Sequence, residues 1–400
     1  MEKPSIYVDY AASTPLDERV LQTMKPYFTD NFGNSSSFHK IGMHAKEALD
    51  SARKSVATSL GARPQEIIFT SGGTEADNLA ILGFARKNKE AGNHIIVSAA
   101  EHKAILEPAI ALKKEGFDVT ILETDAFGMV SRELVLASMR PETILVSVIY
   151  GNNEVGTLNP IQKIGAGIRK YREAQKSLYP VFHTDACQIA GTEEMNVQKI
   201  NVDMMSVNGG KMSGPKGVGC LSARQGVKIE PLQYGGGQEQ GRRPGTENVA
   251  AIVGFAEALH YAVQEGATEK QRLTDLRDYL VKGLKKSIPH IRLNGHPKER
   301  LANNVNLSFC DVEGEALLLY LDAEGIFAST GSACTSASLD PSHVILALGL
   351  PPEVAHSSLR MTLGRSTTKE DLDVIISVLP QVVEKLRAMS PKSGNERFYE

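Results

Sequence analysis

Seven short apolar segments recur between Glu66 and Ala223: EIIFTSG (66–72), HIIVSAA (94–100), DVTILET (118–124), TILVSVIYGN (143–152), PVFHTDA (180–186), VDMMSVN (202–208) and GVGCLSA (217–223). Their length and composition read as buried strands. Between them, TEADNLAILGFARKN (74–88) and PIQKIGAGIRKYREAQ (160–175) carry apolar residues at helical spacing. Strands alternating with helices predict βαβ units and an α/β fold with a mainly parallel, doubly wound sheet. In such a sheet, ligands sit beyond the carboxyl ends of the strands.

Around Glu257 the pattern changes to long helical stretches (258–287), then HIRLNGH, NVNLSFC, GIFAST and SLRMTLG. Four hundred residues exceed what one core usually serves. The expected division is a large domain over residues 16–257 and a smaller α+β domain from 258–400, joined by residues 1–15. The balance of 44 Lys+Arg against 47 Asp+Glu contains no basic block, which argues against a nucleic-acid ligand. No run approaches 18 apolar residues, so no spanning helix is expected, and the N-terminus has no signal-peptide pattern. Four dispersed cysteines form no C-x-x-C pair, so neither a disulfide framework nor a metal site is expected. These features predict a cytoplasmic protein with reduced thiols.

The strand ends carry the chemistry. SGGTEADN follows the first strand, and small residues at a strand-to-helix turn suit a phosphate; Thr74 would also serve as the helix N-cap. EHKA, GNNEVG, DACQ and NGGK end later strands, and among them His102, Asp185 with Gln188, and Lys211 stand out. Taken alone, Asp185 reads equally as a structural hydrogen-bonding residue or a ligand, and a lone His102 reads first as structural. Together, a lysine, an acid, a histidine and a phosphate cradle meet the needs of pyridoxal 5'-phosphate: an amine for its aldehyde and an acid for its ring nitrogen. Lys211 stands among four glycines in VNGGKMSGPKG, which lets a ligand lie close. Arg360, on an apolar strand pattern, asks for a carboxylate such as that of an amino acid. STGSACTSAS (329–338) has no core-forming pattern and predicts a mobile loop around Cys334, whose thiol reads either as inert or as reactive.

SGGTEADN, EHKA, NNEVG, DACQ, GPKGVG, GGGQEQGRRPGTEN and STGSACTSASLDPSHVILALGL together resemble the cysteine desulfurases of the NifS and IscS type. The resemblance runs in order and spacing from VDYAASTPLD to about Leu379. It implies a fold type I pyridoxal-phosphate transferase that is a homodimer. Such enzymes take sulfur from L-cysteine, release L-alanine, and pass a persulfide to acceptor proteins for iron–sulfur assembly or tRNA thiolation. It implies Lys211 as the cofactor lysine, Cys334 as the sulfur-receiving thiol and His102 as the ring-stacking proton carrier. Asp185 and Gln188 match the partners of the ring nitrogen and phenolic oxygen, Asn153 a residue near ring and substrate, and Arg360 the carboxylate clamp. Gly73 and Thr74 match phosphate ligands, and Thr246 one that reaches the other subunit's phosphate. A selenocysteine lyase-type enzyme and a catalytically weak sulfur-relay scaffold are the alternatives. One departure favours the scaffold: Asn208-Gly209-Gly210-Lys211 stands where the family has Ser-x-His-Lys. Asn208 still offers an amide, Gly210 only a backbone N–H, so weaker cofactor retention is expected.

Overall fold

The computed structural model describes residues 5–330, 340–391 and 396–399. β1 (Ile6–Tyr7) lies apart from the large sheet. That sheet is built from β2 (Ile67–Thr70), β3 (His94–Ser98), β4 (Asp118–Leu122), β5 (Thr143–Ser147), β6 (Val181–Asp185), β7 (Met204–Asn208) and β8 (Gly219–Ala223). Their order is β2-β8-β7-β6-β5-β3-β4. β8 runs antiparallel to both neighbours, and the remaining pairings are parallel. All seven strands fall inside the segments read from the sequence.

Their unbroken apolar character follows from burial on both faces. Ile67, Phe69, Ile96, Phe182 and Met205 point into one core cluster, while Ile68, Ile95, Val97, Val181 and Met204 point into a second on the opposite face. Alternate side chains of one strand therefore enter different cores.

Three further strands, β9 (Ile291–Leu293), β10 (Asn304–Phe309) and, after β11 (Ile326–Phe327), β12 (Ser358–Thr362), form an antiparallel sheet in the order β12-β10-β9. β11 pairs in parallel with β1, which brings the N-terminal segment to this part of the molecule. The helical stretch expected from 258 is one helix, Val249–Ser287, starting earlier because the Asn248 side chain accepts the Ala251 N–H. Its first turns join the large-sheet core through Ile252, Phe255 and Leu259, and its later turns join another through Leu273, Leu280 and Leu284. No described helix is long and apolar enough to cross a membrane.

Candidate active site

β2, β3, β5, β6 and β7 run the same way, so their carboxyl ends share one edge of the sheet. The residues just beyond them line a cavity of about 600 Å³, together with Arg360 on β12 and Ala11 and Ala12 from the N-terminal segment. Gly73, Thr74, His102, Asn153, Asp185, Gln188, Asn208, Lys211 and Arg360 all lie on its wall. Thr246 is exposed and does not line it. Cys334 lies outside the described residues, between Thr330 and Asp340, and Asp340 lines the cavity.

Lys211 Nζ donates to the carbonyls of Ala11 (2.7 Å) and Ala12 (2.6 Å). Gln188 Nε2 shares the Ala11 carbonyl at 3.1 Å. The Asp185 carboxylate accepts the Cys187 N–H at 2.9 Å. His102 caps the helix Lys103–Lys114, its Nδ1 accepting the Ala104 N–H at 3.1 Å. With Nδ1 an acceptor, the ring proton sits on Nε2. Burial pushes the imidazole below its ordinary value, against the pull of Asp185, so the ring is neutral at pH 7.

Beneath the cavity lies a set of buried acids that sequence reasoning missed. Burial, reinforced by Asp185, pushes the Asp77 carboxyl well above the usual range. Burial pushes Glu101 up to about 8 despite its bonds from Ser98 Oγ and the Ile149 N–H, both at 2.7 Å. The His183 ring is held between Ser147 Oγ and Ser206 Oγ, and burial brings it down to about 3. Glu154, also buried, accepts from Ser342 Oγ at 2.5 Å, and His343 Nε2 meets the Glu101 carbonyl at 2.9 Å. These two contacts anchor the chain on the far side of Cys334 to the cavity wall. EHKA and NNEVG contained both acids, but nothing in those motifs separates them from helix-end carboxylates.

Two expectations need correction, and a third is met from within the chain. Gly72, not Thr74, is the N-cap of the helix Gly73–Asn78; its φ of +154° is one that glycine adopts without strain. Gly210 N–H is not open to a ligand, because Asn208 Oδ1 accepts it at 3.1 Å, leaving Asn208 Nδ2 as the donor at this point. Arg360 already has a carboxylate: its Nη2 meets Asp9 Oδ1 at 2.9 Å.

The sequence matches the family described as Aminotransferase class-V over residues 6–375. The chain belongs to that family. It is 49% identical to the cysteine desulfurase IscS of Methanosarcina thermophila over 395 residues, covering 99% of this chain and 96% of the relative. Against the cysteine desulfurase IscS of Clostridium botulinum strain Hall it is 50% identical over 389 residues, 96% of each chain. A solved NifS-like protein superposes with a TM-score of 0.88 at 33% identity, covering 96% of this chain and all (100%) of that one. The solved structure of SspA in complex with cysteine gives 0.78 at 36% identity, over 90% and 98% of the two chains. Within the class-V aminotransferases, the chain is therefore a cysteine desulfurase of the NifS/IscS type, with the fold type I architecture.

The buried acids give this class-V aminotransferase a testable pH dependence. Unfolded, Glu101 titrates near 4.5; folded, it keeps its proton to about 8. Between those values the folded state holds a proton that the unfolded state has released, so stability falls as pH rises. The slope approaches roughly 1.4 kcal/mol per pH unit. Glu101→Gln is expected to flatten it. Urea midpoints at pH 5.5 and 8 check this, and equal slopes in both proteins would reject a protonated Glu101.

Proposed function

We propose that this chain removes sulfur from L-cysteine with pyridoxal 5'-phosphate, releases L-alanine and holds the sulfur as a persulfide on Cys334. The observation that most supports this is the convergence of Lys211, Asp185, His102 and an open helix start on one cavity. The donor set fits the cofactor. A Cβ at Gly73 would lie 2.6 Å from Cys187 Sγ, so only glycine leaves this helix start bare for a phosphate. Gly73, Thr74 and Asn208 Nδ2 would hold the phosphate, with Thr246 reaching it from a second subunit. Asp185 would hold the ring nitrogen, Gln188 the phenolic oxygen and Lys211 the aldehyde carbon. When bound, the cofactor supplies an electron sink for the charge left at the substrate's Cα.

The chain's own residues then have these tasks. Arg360 binds the substrate carboxylate, and Asn153 stands beside it. Lys211 Nζ takes the Cα proton and returns one to the carbon that loses sulfur. It must be neutral to do so. His102 Nε2 is the ring atom left to exchange a proton with the substrate. At the sulfur step, the substrate Cβ–S bond breaks, the Cys334 Sγ–S bond forms and the carbon gains a proton. L-cysteine plus thiol thus gives L-alanine plus persulfide, with no outside oxidant or reductant. Cys334 is four residues from Thr330, a tether of at most ~14 Å, and the preceding Ser329 is paired to Arg360 on the cavity wall.

Sulfur-acceptor proteins of iron–sulfur assembly or tRNA thiolation, a homodimer and a cytoplasmic location belong to the same proposal. Apolar surface at Phe28, Phe32, Phe38 and Tyr234 supports the second copy. A division into a large and a smaller domain is proposed on the separate core clusters; the expected boundary at 257/258 lies inside the helix Val249–Ser287, whose Leu259 and Ala262 still join the large-sheet core and whose Leu273 joins the other. The deciding experiment incubates the cofactor-loaded protein with L-cysteine and measures L-alanine and protein persulfide together; equal amounts support the reading, and alanine without persulfide rejects it. Asn208→Ala should raise the cofactor dissociation constant roughly ten- to hundredfold, the worth of one hydrogen bond to a charged group. Fluorescence titration of the cofactor-free protein measures it, and an unchanged constant would remove Asn208 from the phosphate contacts.

A further inference from the structure

Two of the positive groups lining the cavity, Lys211 and Arg360, are held by one N-terminal stretch. Ala11 and Ala12 supply carbonyls to Lys211 Nζ, and two residues earlier Asp9 supplies a carboxylate to Arg360. Asp9 is well fixed: the stretch bridges to Thr362, and Tyr7 Oη donates to the Asp9 carbonyl at 2.9 Å. Arg360 is 2% exposed. Its Nη1 donates to the Asn153 carbonyl at 3.0 Å and its Nη2 to Asp9 Oδ1 at 2.9 Å. Its Nε is buried and has no partner among the described residues.

That pattern is incomplete in a specific way. A guanidinium binds a carboxylate most strongly with two parallel N–H groups, and the edge joining Nε to Nη2 offers such a pair. Asp9 engages Nη2 with one oxygen and leaves the Nε–H unsatisfied, a costly state for a buried donor. A substrate carboxylate taking the whole edge would meet Asp9 at Nη2. Two carboxylates on one buried guanidinium would leave an uncompensated negative charge.

We infer that Asp9 occupies the seat of the substrate's α-carboxylate on Arg360, and that the two compete for it. This rests on Arg360 being the carboxylate site proposed above. Asp9 is then a specificity-determining residue. A ligand must bring a carboxylate able to engage both N–H groups to displace it, whereas a ligand without one leaves the Asp9–Arg360 pair in place. The competition weakens substrate binding without touching the chemistry, so it belongs in KM and not in kcat.

Asp9→Asn is expected to lower KM for L-cysteine three- to thirtyfold while kcat moves far less. Calorimetry of the cofactor-loaded enzyme should show 3-mercaptopropionate binding tighter by a similar factor, with 2-mercaptoethanol, which has no carboxylate, unaffected. Asp9→Ala is the second variant, and it removes the competitor without relying on asparagine's hydrogen bonds. A KM that stays or rises in both variants overturns the inference, because Asp9 then orients Arg360 instead of competing for it. Arg360→Gln separates the layers. If it weakens 3-mercaptopropionate and the Asp9 variants do not strengthen it, Asp9's role alone falls. If it changes neither KM nor that binding, the carboxylate site itself is wrong and the inference falls with it.

Discussion

Lys211→Ala is expected to lower L-alanine formation from L-cysteine by ~10²–10⁴-fold, the range for removing a general acid–base. The same loss is expected from Lys211→Arg. Arginine keeps the charge and could still reach the Ala11 and Ala12 carbonyls that hold the amine now. A guanidinium, however, cannot give up its proton near neutral pH, so it cannot carry one to and from carbon. The pair of variants therefore separates the charge of Lys211 from its proton chemistry. Small amines added to the alanine variant should restore part of the rate, since the cavity has room once the side chain is removed. The fold should survive: two neutral acceptors lose a donor, at about 0.5–1.5 kcal/mol each. Steady-state alanine production checks the rate and thermal unfolding checks the fold. Arginine retaining activity within tenfold of wild type would remove Lys211 from the proton-carrying role.

The parts of this site that were legible in the sequence were those that a parallel sheet gathers automatically. Asp185 and Asn208 are last residues of strands, and His102 and Lys211 follow strand ends by a few positions. Once the segments are strands of one sheet, such residues share an edge whatever their order. The strands themselves were readable because both faces are buried, which replaces alternation with continuous apolar runs. Direction was not readable: Gly219–Ala223 is as apolar as its neighbours yet runs antiparallel to them. Long-range pairing was equally hidden. Asp9 meets Arg360 across 351 positions, and no periodicity links them. The Asn208–Gly210 contact is different, because an Asn side chain accepting the N–H two residues on is a local habit of that residue type. The NGG stretch carried the signal, and comparison with the family's Ser-x-His pattern drew attention to a missing side chain instead. Asp77 was concealed by the helix it sits on, where its acid reads as part of a polar face although the residue is 1% exposed.

Cys334→Ser is expected to abolish the protein persulfide while leaving L-cysteine binding intact. The sulfur step needs a thiolate with access to the substrate. Cys187, Cys220 and Cys310 are all buried, and burial pushes the thiols of Cys187 and Cys220 well above the ordinary range, so neither ionises near neutral pH. Cys187 does border the cavity, and it is the one competitor to test: beyond burial, the neighbouring Asp185 carboxylate raises its thiol further, which opposes thiolate formation. A serine hydroxyl at 334 has nearly the same size but cannot accept sulfur, so the substrate's Cβ–S bond should stay intact and alanine should fall with the persulfide. Cys187→Ser, by contrast, should retain both products. Alkylation with a persulfide-selective reagent followed by peptide mass measurement reads the acceptor directly. A Cys334→Ser protein that still forms persulfide, found on the peptide carrying Cys187, would move the sulfur-receiving role to Cys187. Persulfide confined to the Cys334 peptide of wild type, and absent from the variant, would fix the end point of the sulfur transfer.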